Sequence, residues 1–294
     1  MRKLKTKIIW RLEALIYDIV SLFFSLLPFS FVSGLGAIIF KVIGPVTNKN
    51  KIVRTGLMIA FPEKSKEEIN NLVSKQWDNI GRTFAEFPVS HKIKIIDNKN
   101  ISVNGLSKAI KNTPALFISG HFSNWEIILS LLIETKLPVQ ITYRKLNNPF
   151  IDSRIRKQRE KNGARFLIQK SGQTSARNLL KALKNKQSIA MLNDQKFNQG
   201  ISVPFFGVNA MTSQGFVRLA LKTNLPLLPV IVTRKKSKFT INFYEPINLI
   251  RTKNKSLDVE NGVIQINKFI EDRIRENPDQ WFWAHRRWPN SLYE

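Results

Sequence analysis

The apolar and polar positions of this chain fall into two patterns. From residue 19 to residue 40 there is no charged side chain, and Phe23, Phe24, Leu26, Leu27, Phe29, Phe31, Val32, Ile38, Ile39 and Phe40 dominate the run. A helix of that length, rising about 1.5 Å per residue, covers the roughly 30 Å hydrocarbon core of a bilayer. The pattern predicts a membrane anchor over residues 1–45, with Pro28 as the point where it bends. Arg2, Lys3, Lys5, Lys7 and Arg11 precede the run and Lys41, Lys49, Lys51 and Arg54 follow it, so positive charge does not orient it. A helix lying in the interface, a cleaved signal peptide and a buried core helix satisfy the same composition.

The second pattern occupies residues 46–294 and predicts one α/β domain. Ser65 followed by Glu68 is a capping-box signature, opening a helix that runs through Leu72, Trp77, Ile80 and Phe84 and stops before Pro88. Short apolar runs then recur at 115–118, 139–142, 164–168, 188–192, 227–232 and 239–243. Helical stretches lie between or after them at 124–134, 149–161, 175–184, 213–223 and 257–277. Strands alternating with helices predict a mostly parallel sheet flanked by helices, with reactive groups at the strand carboxyl ends.

Composition narrows the chemistry. The 294 residues contain no cysteine, which removes thiolate nucleophiles, disulfides and Cys-based metal sites. Lys and Arg number 47 against 21 acidic residues, a net charge of +26 that draws the chain to a polyanion. The charges are spread along the chain, without an arginine-rich tail or a nucleic-acid motif, which favours an anionic membrane surface over nucleic acid.

Candidate chemistry centres on Gly120, His121 and Glu126. His121 follows a predicted strand and a glycine turn, where an open α/β sheet presents reactive groups. A first-turn carboxylate reaching back to the ring fixes the tautomer and frees the other nitrogen as a base, so Glu126 is the expected partner. The structural alternative is also clear: Ser123 and Glu126 match a capping box. His91 sits in a basic stretch and has no assigned role.

Gly120-His121 with Glu126 resembles the His-x4-Asp/Glu motif of glycerolipid acyltransferases, and in particular the lipid A late acyltransferases. The likeness continues through Arg54-Thr55-Gly56-Leu57, Phe61-Pro62-Glu63, Tyr143-Arg144, Asn148-Pro149, Arg159, Asn193-Asp194-Gln195, Val203-Pro204-Phe205-Phe206-Gly207, Leu228-Pro229-Val230 and the segment from Trp283 to Trp288. Several blocks in order are more specific than any one of them.

That resemblance implies His121, Glu126 and Arg159 as catalytic residues, Arg159 being placed by its spacing after Arg144 among Arg154, Arg156 and Arg165. Basic groups suit a substrate that carries phosphates and a reaction that passes through an oxyanion. Arg144, Asn148, Asp194, Arg286 and Arg287 are expected at the substrate, and Phe205, Phe206 and Gly207 are expected to form an apolar loop walling an acyl tunnel. Core packing is the plain reading of that loop, and an aromatic clamp the plain reading of Trp281, Trp283 and Trp288. The implied reaction needs no metal or cofactor. It takes an acyl chain from acyl carrier protein to a hydroxyl of a lipid A precursor at the bacterial inner membrane, with the domain facing the cytoplasm. An acyltransferase for a lysophospholipid or another glycolipid, and a basic membrane-binding protein without activity, are the competing readings. A serine hydrolase is disfavoured, since no G-x-S-x-G elbow is present.

Overall fold

The structure is a computed structural model and describes residues 2–143, 145–161, 163–164, 167–169 and 173–294. Arg144 and Arg165 lie outside the described residues.

The predicted anchor is two helices, α1 (Arg2–Ser25) and α2 (Phe29–Ile43). Pro28 separates them, because its ring blocks the amide a continuing helix needs. The 19–40 run is therefore not one straight span. By length and composition, the stretch Phe29–Val46 is the one among the described residues that suffices to cross a membrane. Both helices expose apolar side chains: Ile8, Leu12, Leu15, Ile19 and Leu22 form a stripe along α1, Leu26 follows it, and Phe31, Ile38 and Val42 are exposed on α2. The inner side of α1 is pinned by polar contacts. Arg154 donates to both oxygens of Asp18 at 2.6 Å, and Asn148 donates to the Trp10 carbonyl and to Glu13, each at 2.8 Å.

After α3 (Lys49–Ala60) comes α4 (Lys66–Glu86), opened by the predicted capping box of Ser65 and Glu68. Helix α2 lies against α4 at a glycine-to-glycine crossing. A Cβ on Gly36 falls onto the Gly81 carbonyl, and one on Gly81 falls onto that of Gly36.

The α/β part then runs β1 (Ile101–Asn104), α5 (Leu106–Lys111), β2 (Leu116–Ser119), α6 (Glu126–Glu134), β3 (Val139–Tyr143), α7 (Pro149–Lys161), β4 (Leu167–Gln169) and α8 (Gln173–Lys184). It continues with β5 (Ser188–Leu192), the hairpin β6 (Ile201–Phe205) and β7 (Val208–Thr212), α9 (Gly215–Thr223), β8 (Leu227–Lys235), β9 (Lys238–Phe243) and α10 (Lys255–Glu276). Seven strands form one sheet in the order β1-β9-β8-β2-β5-β3-β4, parallel throughout except for the β8–β9 hairpin.

Period-two alternation sends the central strands' side chains to two cores. Leu116, Ile118, Leu227 and Ile231 face α9, α10 and the C-terminal tryptophans, whereas Phe117, Leu228, Val230 and Val232 face α5 and α6. Because β2 is central and parallel, all four of its residues are buried and its carboxyl end emerges between α6 and β5.

The helix crossing gives a direct test. Gly34→Ala meets no atom within 4 Å and should raise stability by roughly 0.5–1 kcal/mol through lost chain entropy. Gly36→Ala, which forces the α2–α4 crossing apart, should lower it by about 1–3 kcal/mol. Thermal unfolding of the full chain in detergent should rank Gly34→Ala, wild type, Gly36→Ala.

Candidate active site

The sheet register brings the site together. Ser119 on β2 pairs with Leu192 on β5, so two residues past each strand end His121 stands opposite Asp194. The buried Asp194 carboxylate receives three donors at 2.7 Å: the His121 backbone N–H, His121 Nδ1 and the Trp281 indole. Burial alone pushes this carboxyl up, yet the His121 charge and these hydrogen bonds hold it well below the usual carboxylate range. Gly120 makes the approach possible, since a Cβ there stands 2.8 Å from the Phe122 ring and 3.2 Å from Asp194 Oδ2.

With Nδ1–H donating to the Asp194 carboxylate, the other ring nitrogen is the acceptor, and the Gln195 amide lies 3.3 Å from Nε2. Trp125 packs edge-on to the imidazole at 4.8 Å between ring centroids.

Glu126 is directed elsewhere. The expected carboxylate on the His121 ring is Asp194, and Glu126 pairs with Arg159, whose Nε and Nη2 donate at 2.9 and 2.6 Å. Nor does the capping box form: Ser123 has φ 45°, its hydroxyl donates to Gln280, and α6 starts only at Glu126 without a side-chain cap. As the first residue of α6, Glu126 also sits at the favourable end of the helix dipole. Arg159 lies between the Phe87 and Tyr143 rings, 5.7 and 5.1 Å from their centroids. The Tyr143 hydroxyl donates to Asp152 at 2.5 Å, and burial together with that carboxylate raises the phenol.

His121, Gln195, Glu126, Arg159 and Tyr143 line one cavity of about 480 Å³, whose remaining wall is largely apolar and includes Phe117, Ile128, Leu132, Ile141 and Val230. A polar mouth over an apolar interior suits a molecule with a reactive head and a hydrocarbon tail.

Among the described residues singled out from the sequence, Phe205, Phe206, Gly207, Asn148, Asp194, Arg286 and Arg287 do not line this cavity. Phe205 is fully buried and Phe206 nearly so, at the tip of the β6–β7 hairpin in the core with Trp281, Trp283 and Trp288, and Phe206 and Gly207 supply the hairpin's two left-handed positions at φ 52° and 72°. The expected tunnel wall is core packing here. Asn148 holds α1. Arg286 is exposed near the Tyr293 ring, whereas Arg287 is sealed, donating to the Met211 carbonyl at 3.0 Å and to Thr212 Oγ1 at 2.6 Å. Burial lowers Arg287 to about 10. The C-terminal tryptophans form the aromatic clamp: Trp283 and Trp288 close on Gly56 of α3 and Trp281 holds Asp194. Gln195, Trp125 and Tyr143 carry no role in the sequence reading, although Gln195 and Tyr143 fall inside motif blocks quoted there. Among the described residues no cluster of His, Cys, Asp and Glu is arranged to hold a metal ion.

The family model described as bacterial lipid A biosynthesis acyltransferase matches residues 2–290. The chain belongs to this family. Its members' activity, acyl transfer in lipid A biosynthesis, is thereby the activity of this chain. The lipid A biosynthesis palmitoleoyltransferase of Escherichia coli (strain K12) is 25% identical over 278 residues, 89% of this chain and 86% of that protein. The lauroyltransferase of the same organism is 26% identical over 251 residues, 81% and 78% of the two chains. A solved structure, the 1-acyl-sn-glycerophosphate acyltransferase of Thermotoga maritima, aligns with TM-score 0.38 and 13% identity, covering 84% of this chain and 97% of that one.

One further histidine of this lipid A acyltransferase reports on folding. Burial lowers His285 from 6.5 to about 4, the Asp194 charge opposing and His121, Arg287 and Lys49 adding to the depression. Below pH 6.5 the unfolded chain takes up a proton that the folded ring refuses, so this contribution to stability is full above 6.5 and lost as pH falls towards 4. His285→Gln should flatten that acid limb in melting temperature measured against pH, and an unchanged limb would show that other groups set it.

Proposed function

We propose that this chain moves a fatty acyl group from an acyl carrier protein thioester to a hydroxyl of a lipid A precursor, with His121 as general base. The observation that carries the reading is the His121 ring at the polar mouth of the apolar cavity, Nδ1 tied to buried Asp194 and Nε2 on the cavity side.

In this mechanism the acceptor hydroxyl takes the place of the Gln195 amide at Nε2. Its proton passes to Nε2 as its oxygen attacks the thioester carbonyl, and the ionised Asp194 stabilises the imidazolium. The tetrahedral oxyanion collapses, the carbon–sulfur bond breaks, and the leaving thiolate takes the proton back from His121. The products are the ester and the free carrier thiol. Arg159 orients its guanidinium on Glu126 and offers Nη1, which lies outside that pair, to a substrate phosphate or the oxyanion. The acyl chain occupies the apolar end of the cavity. The net charge of +26 suits an acidic carrier protein and phosphorylated acceptors. Residues 1–45 bring the domain to the inner membrane, on its cytoplasmic side, through the apolar side chains exposed on α1 and α2.

Transfer from acyl carrier protein thioester to a lipid A precursor, followed by mass spectrometry, is the direct test. His121→Ala and Asp194→Asn should each lose about 10² to 10⁴ in turnover. Arg159→Ala should lose a comparable amount, with only partial rescue by Lys, which lacks the planar fork. Near-wild-type transfer by His121→Ala sinks the mechanism. Esters formed on a lysophospholipid and not on the lipid A precursor would keep the chemistry and move the acceptor.

The attachment is tested separately. The chain should remain with membranes through high-salt and alkaline washing, and release by salt alone would mean a purely electrostatic hold.

A further inference from the structure

Between His121 and Glu126 the backbone makes a turn that costs energy, since Ser123 occupies the left-handed region at φ 45° without being glycine. Such a conformation persists only where its surroundings impose it. The imposing groups come from three separate parts of the chain, and none of those that grip the turn lines the cavity.

Helix α4 supplies two of them. Thr83 Oγ1 donates to the Ser123 carbonyl at 3.0 Å, and Glu86 Oε2 accepts from the Asn124 side-chain amide at 3.0 Å. The segment after α10 supplies Gln280, whose carbonyl accepts from the Ser123 N–H at 2.8 Å and whose side-chain oxygen accepts from the Ser123 hydroxyl at 2.7 Å. Strand β8 supplies Arg234, which joins the other two. Its guanidinium lies end-on to Glu86, Nη1 and Nη2 donating at 2.8 and 2.6 Å, while its backbone exchanges hydrogen bonds of 2.8 and 2.9 Å with the Gln280 side chain. Glu86 and Asn124 are fully buried, as is nearly all of the Arg234 side chain.

A sealed ion pair is an expensive way to gain stability, because desolvation of both charges offsets their attraction, and well-packed apolar residues often do as well. What this pair supplies is direction, since each Glu86 oxygen has a fixed partner and Oε2 is aimed at Asn124. We propose that Glu86 and Arg234, acting through Thr83, Asn124 and Gln280, form a buried clamp that sets the turn between His121 and Glu126, making them positioning residues of the transfer reaction. The proposal rests on the reading of His121 as the base.

The test uses the full-length protein in detergent micelles, with kcat and KM for acyl transfer and thermal unfolding measured on each variant. Thr83→Val removes one hook on the turn, Asn124→Ala removes two, its bonds to Glu86 and to Ser90, and both leave the ion pair intact. Both should remain folded, lose about 10- to 100-fold in kcat, the range typical of groups that orient a reacting residue, and keep KM within about threefold. Placed in a His121→Ala background, neither should lower the residual rate further, because each acts through the base. Glu86→Leu with Arg234→Met replaces the pair by apolar side chains, and it should fold while losing kcat to a similar extent. Folded Thr83→Val and Asn124→Ala with kcat within threefold of wild type, or with the loss confined to KM, would overturn the clamp even if the Glu86/Arg234 double variant failed to fold. His121→Ala, assayed beside them, reports on the base itself: an inactive His121→Ala with active clamp variants rejects the clamp alone, and an active His121→Ala rejects the base assignment and the clamp's purpose with it.

Discussion

The Asp194 carboxylate is the constraint on which the site's arrangement depends. It lies in the dry interior, where an unpaired charge is costly, and it is held there by the His121 backbone, the His121 ring and the Trp281 indole. Those donors come from the end of β2 and from the C-terminal segment, while Asp194 follows β5. One charged group therefore fixes the distance between two neighbouring strand ends and the strap that crosses them. Trp281 in turn belongs to the aromatic group packed under α3 and the β6–β7 hairpin, so the ring of His121 is referenced to both the sheet and the opposite core.

A second ion pair shapes the same polar mouth of the cavity. Glu126 and Arg159 sit on α6 and α7, with the Phe87 and Tyr143 rings on either side of the guanidinium. The two acidic groups near His121 thus have divided duties, one orienting the imidazole and the other orienting a cation. The spacing of His121 and Glu126 in sequence reflects the width of the turn between them and not a contact between their side chains.

Much of the fold was legible from periodicity. The span of β5, 188–192, was read to the residue, and α7 likewise, because each has strong punctuation at both ends. The β6–β7 hairpin was missed because Pro204 inside an apolar run argues against a strand, and β6 accommodates it because it pairs with β7 alone. In the 19–40 run the bend at Pro28 was legible, because proline removes the amide a continuing helix needs, whereas its sharpness, which parts the run into two helices, was not. At the site, the chain positions of His121, Glu126 and Arg159 were legible, whereas the pairing of His121 with Asp194 was not. That pairing depends on β2 and β5 being neighbours, a fact of strand order separated by 73 residues of chain. Burial of Arg287 beside the exposed Arg286 was equally hidden, since composition cannot distinguish a cation facing water from one sealed against a carbonyl and a hydroxyl.

The apolar surface exposed on α1 and α2 has a kinetic consequence. A protein confined by such a surface to an amphiphile film meets a lipid acceptor by lateral diffusion in two dimensions. Its rate then follows the acceptor's mole fraction in the film, and adding inert lipid at constant acceptor slows it by surface dilution.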